Sequence, residues 1–324
     1  MKLLVTGGCG YVGTQLVNQL LSHDHSVTVL DTMWFGNYLR RDEKLRIVKS
    51  DIRDINGLDR AGLFDVDVIF HLANIANDPS SEIDPKLTWE VNVLGSKLLV
   101  EAGILNGVKR FIYASSGSVY GVKEEENVTE DLDLDPISDY NKTKMVSERV
   151  LMSYKDDIEV YLLRPATVCG YSPRMRLDLT VNLLTRQAIE DGVITVFGGD
   201  QIRPNVHIND MVDSYLAVLD APTQKINGQI FNVGFKNQSV NELANDVKEV
   251  IGSDVKIIHT KSDDNRSYHV SSEKIRDVLN FNTKYTVKDA VSDLKNAFEK
   301  KSLINTFNDE FFFNIKRMQS INLK

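Results

Sequence analysis

A short apolar run, Lys2–Thr6, passes directly into Gly7-Gly8-Cys9-Gly10-Tyr11-Val12-Gly13, and a helical pattern then runs from Tyr11 to Ser22. A β-run that turns into a helix through three spaced glycines leaves few folds open. Gly7 permits the tight turn, Gly10 lets a bound group approach the backbone, and Gly13 lets the helix lie close to the sheet. The chain then repeats the alternation. Strand-like runs at Ser26–Leu30, Arg46–Lys49, Val66–Phe70, Arg110–Ala114 and Ile158–Leu163 alternate with helical patterns that include long ones near 85–106 and 139–154. Strands separated by helices imply a parallel sheet covered on both faces, and right-handed crossovers make it doubly wound: an α/β, Rossmann-type architecture.

After Pro165 the rhythm becomes irregular. Residues 170–176 look like a loop, 177–191 like a helix and 198–205 like a polar loop. Ile208–Asp220 is a further helical pattern and Gln229–Val233 a further strand. The expected organisation is a dinucleotide-binding domain over 1–169, with later returns near 206–235. A smaller C-terminal substrate-binding lobe over 170–324 interleaves with it. The last stretch, Asn308–Lys324, holds Phe311-Phe312-Phe313 and reads as a packed arm or subunit contact with no catalytic role.

Composition removes several function classes. With a net charge of −8 and no long basic block, the chain lacks the electrostatic footprint of a nucleic-acid binder. No run of eighteen apolar residues exists, so no membrane span is expected, and the MKLLVTGG start is too short in apolar length for a signal peptide. The two cysteines, Cys9 and Cys169, form no metal or redox motif; they suit packing in a reducing cytoplasm, and no metal site is expected.

The glycine loop is a place for a dinucleotide, with its phosphates at the start of the helix opened by Tyr11 and Val12. Asp31 ends the second strand-like run, 18 residues beyond Gly13. A carboxylate there takes both ribose hydroxyls and repels a 2′-phosphate, which favours NAD over NADP. Asp51 and Ile52 follow the third run and suit the adenine, one for its exocyclic amine and one for its ring. Leu72, Ala73 and Asn74 follow the fourth and would lie along the cofactor. Further on, Tyr140 and Lys144 stand four apart in YNKTK, on one face of a helix. A lysine ammonium and a positive nicotinamide both favour the phenolate of a tyrosine, which can then take a proton from a sugar hydroxyl. Lys144 would also hold the nicotinamide ribose. Ser116, after the fifth run, would position the reacting oxygen.

The motifs TGGCGYVG, HLAN, YASSGSVYG, YNKTK and RPATV, in this order, resemble the extended short-chain dehydrogenase/reductase family and, within it, the NAD-dependent sugar-nucleotide epimerase/dehydratase branch. The resemblance covers about residues 1–300. It implies bound NAD, a nucleotide-diphosphate sugar substrate in the C-terminal lobe, and a homodimer built from the helices near 85–106 and 139–154. It implies Ser116, Tyr140 and Lys144 as catalytic residues, and it adds Asn92 and Pro165 to the cofactor contacts. On the substrate side it implies Ser118, Asn182, Arg203 and His207. Arg266 in NRSYHVSS, and Arg174 and Arg176 in SPRMRLDL, join them as candidate readers of phosphate or sugar.

Family members share oxidation at C4 of the sugar and differ in the fate of the keto sugar. Dehydratases and decarboxylases usually carry an acidic residue just after the catalytic Ser or Thr; here Gly117-Ser118 stands there, and no 3,5-epimerase cysteine is present. The leading expectation is a nucleotide-sugar 4-epimerase. The alternative is a 4-dehydrogenase releasing a keto sugar, since SPRMRLDL is similar to a branch that includes GDP-heptose 4-dehydrogenases. A 4,6-dehydratase and a non-catalytic NAD-sensing protein rank below these.

Overall fold

The structure is a computed structural model that describes residues 1–261, 267–321 and 323. Its main sheet contains β1 (Lys2–Thr6), β2 (Ser26–Asp31), β3 (Leu45–Lys49), β4 (Val68–His71), β5 (Arg110–Ala114) and β6 (Glu159–Pro165). Three further strands come next in the chain, β7 (Thr167–Cys169), β8 (Val193–Phe197) and β9 (Ile202–His207), before β10 (Gln229–Val233) returns to the main sheet. The seven strands lie in the order β10-β6-β5-β4-β1-β2-β3, every neighbouring pair parallel. The order of strands along the sheet reverses between β1 and β4, and a ligand crevice forms beyond the strand ends at such a switch point.

Both faces are covered, so the central strands are apolar on both sides. Leu16, Val17 and Leu20 of helix Tyr11–Ser22 pack with Met211, Tyr215 and Leu219 of helix Ile208–Asp220 on one face. Leu99 and Val100 of helix Ser96–Leu105 and Leu151 of helix Asp139–Met152 close the other.

A second region carries two small sheets. Strand β11 (Lys236–Ser239) pairs antiparallel with β9, which is parallel to β7, and β12 (Lys256–Thr260) pairs with β8. Helices Thr180–Glu190, Val240–Ile251 and Val287–Glu299 share one apolar cluster there.

Two expectations change. Residues 198–205 are not simply a polar loop: Ile202–His207 is a strand between two others. Its polar residues and Pro204, which has no N–H to give a ladder, hide the strand from a period-two reading. The long helix near 85–106 is in three parts, with a wide π-helical turn at Glu90–Gly95 between Pro85–Trp89 and Ser96–Leu105. The Asn92 carbonyl accepts hydrogen bonds from the Ser96 hydroxyl at 2.5 Å and the Ser147 hydroxyl at 2.7 Å, so side chains satisfy a group that the wide turn displaces from the regular ladder.

Candidate active site

The glycine loop sits at the switch point. Gly7 has φ +73°, and a Cβ there would lie 2.6 Å from the Ala73 nitrogen, so the loop can touch the end of β4 only as glycine. Helix Tyr11–Ser22 starts at Gly10 with no side-chain cap, leaving its first N–H groups and the positive end of its dipole for a ligand. The cavity in front of it is lined by Gly7, Gly10, Tyr11, Val12 and Gly13.

Asp31, Asp51, Ile52, Leu72, Ala73, Asn74 and Pro165 also face this cavity. The Asp31 carboxylate accepts the Cys9 N–H at 2.9 Å and the Met33 N–H at 2.7 Å, which fixes it across the cavity floor. Burial raises its pKa, and these two N–H groups act in the opposite direction. Asp51 is braced by Arg53, whose guanidinium reaches both carboxylate oxygens at 3.0 Å and Glu90 at 2.7 Å. Asn74 accepts from the Tyr113 hydroxyl at 3.3 Å, and its buried Nδ2 has no partner among the described residues. A cradle that a Cβ would fill, an uncapped helix start, a buried carboxylate and a buried unspent amide together fit a dinucleotide.

Tyr140 and Lys144 border the same cavity, on a helix that starts where Ser138 accepts the Asn141 N–H at 3.1 Å. Lys144 Nζ donates to the Ala114 carbonyl at 2.5 Å and lies 4.7 Å from the Tyr113 ring centre and 5.8 Å from that of Tyr140. Ser116 Oγ is 2.7 Å from Ser118 Oγ, and Ser118 donates to Asn141 Oδ1 at 2.5 Å.

Burial dominates the electrostatics. It pushes Tyr140 up to about 12 against the pull of Ser116, and Lys144 down to about 7 against the opposing field of Glu148. Desolvation thus dominates for both groups, and the Lys144 ammonium is anchored to the Ala114 carbonyl.

This has a sign that can be checked. A buried lysine titrating near 7 binds its proton less well folded than unfolded, so stability rises as pH climbs from about 7 toward the ordinary lysine value near 10.4. Lys144→Met should therefore raise the melting temperature most below pH 7. That advantage should fade toward pH 10 while turnover falls at least about a hundredfold. Melting curves across pH read the first effect; a gain that grows with pH would contradict it.

A buried network missed by sequence reasoning holds the catalytic helix to the sheet. Glu148, one turn beyond Lys144, accepts from Ser115 at 2.5 Å and from Arg164 at 2.9 and 2.7 Å. Arg164 also donates to the Tyr120 hydroxyl at 2.8 Å, which donates to Asn232 at 2.8 Å. The only sequence signals are the four-residue spacing from Lys144 and the position of Arg164 before Pro165.

Other expected site residues are placed differently. Asn92 lies behind the cavity: its amide exchanges hydrogen bonds with Ile75 at 2.8 and 3.2 Å and donates to Thr143 at 3.0 Å, tying the loop after β4 to the catalytic helix. Asn182 is fully buried and spends its amide on the Gly170 N–H, the Tyr11 hydroxyl and the Arg176 carbonyl. His207 begins helix Ile208–Asp220, accepting the Asn209 N–H at 3.1 Å, with Nε2 3.3 Å from Asp293 and its ring stacked on Tyr285. None of these three lines the cavity.

Arg176 does line the cavity, paired with Asp178 at 2.9 and 3.2 Å. Arg203 lies 5.6 Å from the Tyr268 ring, whose hydroxyl is 3.2 Å from that of Thr167 in the RPATV motif. Arg174 is 2% exposed and faces the cofactor cavity, stacked 4.2 Å from the Phe35 ring. Arg266 lies outside the described residues. Cys9 and Cys169 are buried thiols, both pushed up to about 12 by burial, which leaves packing as their role. No helix among the described residues is long and apolar enough to cross a membrane.

A sequence model of the NAD dependent epimerase/dehydratase family matches residues 3–234. The chain belongs to this family. It is therefore an NAD-dependent enzyme of the isomerase or oxidoreductase type. A UDP-glucose 4-epimerase of Mycolicibacterium smegmatis is 30% identical, over 93% of this chain and 100% of its own. The solved UDP-glucose 4-epimerase of Thermotoga maritima, with UDP-glucose, superposes with TM-score 0.84 at 26% identity, covering 93% of this chain and 99% of that one. DesIV, a dTDP-glucose 4,6-dehydratase of Streptomyces venezuelae with NAD bound, superposes with TM-score 0.82 at 25% identity, over 93% and 98% of the two chains. Members of the family thus share this fold while carrying different outcomes.

Proposed function

We propose that this family member is a nucleotide-sugar 4-epimerase. The carrying observation is Tyr140 and Lys144 bordering a dinucleotide cavity, next to Ser116 just beyond the end of β5, with Gly117 and Ser118 after the serine where a dehydratase would hold an acid. NAD, when bound, would supply a reversible hydride acceptor for C4. The glycine loop, Asp31, Asn74 and Pro165 would hold it. Tyr140 takes the proton of the C4 hydroxyl and gives it back; Ser116 orients that oxygen by hydrogen bonding. Lys144 supplies positive charge beside the phenol. Arg203 and Arg176 are the cations assigned to the nucleotide diphosphate and sugar side. The mostly apolar cavity wall excludes water while the keto sugar turns.

The names of the relatives support UDP as the nucleotide. A screen of UDP-, GDP-, CDP- and dTDP-sugars with product NMR tests the reading. A C4-inverted sugar with no net redox change is the expected result. A keto sugar with stoichiometric NADH would replace it with the 4-dehydrogenase, and loss of the 6-hydroxyl with solvent deuterium at C5 with the dehydratase. No turnover of any sugar would leave the NAD-sensing protein. Leu94 and Leu105, exposed on the segments expected to pair across a homodimer, support a two-subunit enzyme, which sedimentation of the holoenzyme tests. Two free, buried thiols suit a reducing cytoplasm.

A further inference from the structure

The phenylalanine-rich carboxy-terminal arm does more than cover apolar surface. It reaches the cofactor cavity through Asn314, which lines it, instead of lying on a remote face. The Leu177 N–H donates to the Phe312 carbonyl at 3.0 Å, and the Asn314 N–H donates to Asp178 at 3.1 Å, so the arm is seated on the segment that carries Arg174 and Arg176. On its other side Arg317 donates to the Trp34 carbonyl at 2.6 Å, in the loop just beyond Asp31. Met318, 3% exposed, joins the apolar cluster that Trp34 and Phe35 pack against. The arm thus ties together two segments far apart in sequence, both of which line the cavity.

Where these segments meet, two polar side chains face inward. Asn314 lines the cavity, and its Oδ1 accepts from Arg174 Nη2 at 2.7 Å. Arg174 is 2% exposed, and its Nε has no partner among the described residues. A guanidinium stacked on Phe35, held by one amide and with a buried donor unspent, is built to receive oxygen ligands. Asp31, Trp34 and Phe35 line the same end of the cavity, so the oxygens belong to the adenosine diphosphate half of the dinucleotide and not to the sugar substrate.

We propose that Asn314 and Arg174 form a clasp on that half of NAD, with the arm as its outer strap, and that the clasp sets the rate of cofactor release. The proposal rests on the reading of this cavity as the NAD site. It also deepens the function: an epimerase must keep the reduced cofactor through both half-reactions, whereas an enzyme releasing a keto sugar must exchange it.

Exchange of bound NAD for isotopically labelled NAD in the purified holoenzyme, monitored by mass spectrometry, measures release directly. Asn314→Ala should speed release by about tenfold, the scale of one charge-assisted hydrogen bond. Arg174→Lys keeps the charge but loses the fork and should speed it further. Gln319→Ala, on the exposed side of the arm, should leave it unchanged. Unchanged release in both cavity variants overturns the clasp while leaving the NAD site intact. So does unchanged release with a raised KM for the nucleotide sugar, which would return Arg174 to the substrate. Equal acceleration in Gln319→Ala would reveal general loosening and also overturn it. Failure of the wild-type protein to bind any NAD overturns the site reading itself.

Discussion

Tyr140→Phe is expected to lower turnover by about a thousandfold or more while leaving NAD bound and the melting temperature nearly unchanged. The phenyl ring keeps the volume that the tyrosine fills, and Ser116 keeps Ser118 as a hydroxyl partner at 2.7 Å, so no buried group is stranded. What disappears is the single oxygen that can accept the substrate proton. Its pKa, pushed up to about 12 by burial, makes the protonated phenol the resting form. The cationic ring of the bound cofactor favours the phenolate by the same Coulombic rule that a nearby ammonium would obey. The wild-type rate should therefore climb with pH, and the residual Tyr140→Phe rate should not share that limb. Single-turnover measurements of the cofactor absorbance separate this loss from slow product release. Turnover within tenfold of wild type would move the base to another residue.

Local spacing makes much of this site legible, and tertiary placement decides the rest. The glycine loop and the Tyr140/Lys144 pair are contiguous signals: a turn into a helix and two residues on one helical face. Their consequences arise from backbone geometry, and the strand β1, the helix Tyr11–Ser22 and the strand β5 begin and end where the sequence pattern places them. Strand β9 is hidden because Arg203, Pro204 and Asn205 carry no apolar alternation; its neighbours β7 and β11 stabilise it across long sequence separations. Asn182 and His207 are reached by motif spacing, which reports where a residue stands along the chain and not what consumes its polar atoms. Hydrogen bonds to Gly170, Tyr11 and Arg176 leave Asn182 with no spare donor.

Arg174 shows the same limit from the other side. A basic residue in a lobe loop suggests a substrate contact, yet the loop folds back so that its guanidinium stacks on Phe35, at the cofactor end. The Phe311-Phe312-Phe313 run indicates burial but not the surface it would cover. Only the long-range bonds of the arm to Leu177, Asp178 and Trp34 reveal that surface. The Glu148–Arg164 pair is a third case. Two charges at 3–4% side-chain exposure are costly unless each satisfies the other, and sequence cannot show that a strand residue and a helix residue meet.

Gly13→Ala should empty the cofactor site. A Cβ at Gly13 would lie 2.2 Å from the Gly7 carbonyl oxygen and 2.8 Å from the Gly8 Cα. Both are backbone atoms of the phosphate loop, so no side chain can swing aside. The loop is also fixed by the Gly10 N–H to the Gly7 carbonyl at 3.1 Å and by the Gly7 N–H to the Leu30 carbonyl at 2.9 Å. Either the helix start withdraws or the turn opens, and each moves the N–H groups that would meet the pyrophosphate. Overpacking of this kind costs about 1–3 kcal/mol in stability, and cofactor affinity should fall by about a hundredfold or more. Gly107→Ala separates the two effects. Gly107 has φ +79° with no atom within 4 Å of the added Cβ, so that variant bears only the left-handed backbone penalty of about 1–2 kcal/mol. NAD titration with thermal unfolding on both variants should show comparable destabilisation but lost affinity in Gly13→Ala alone. If affinity falls equally in both, cofactor loss stems from global instability, and the loop has no special claim on the phosphates.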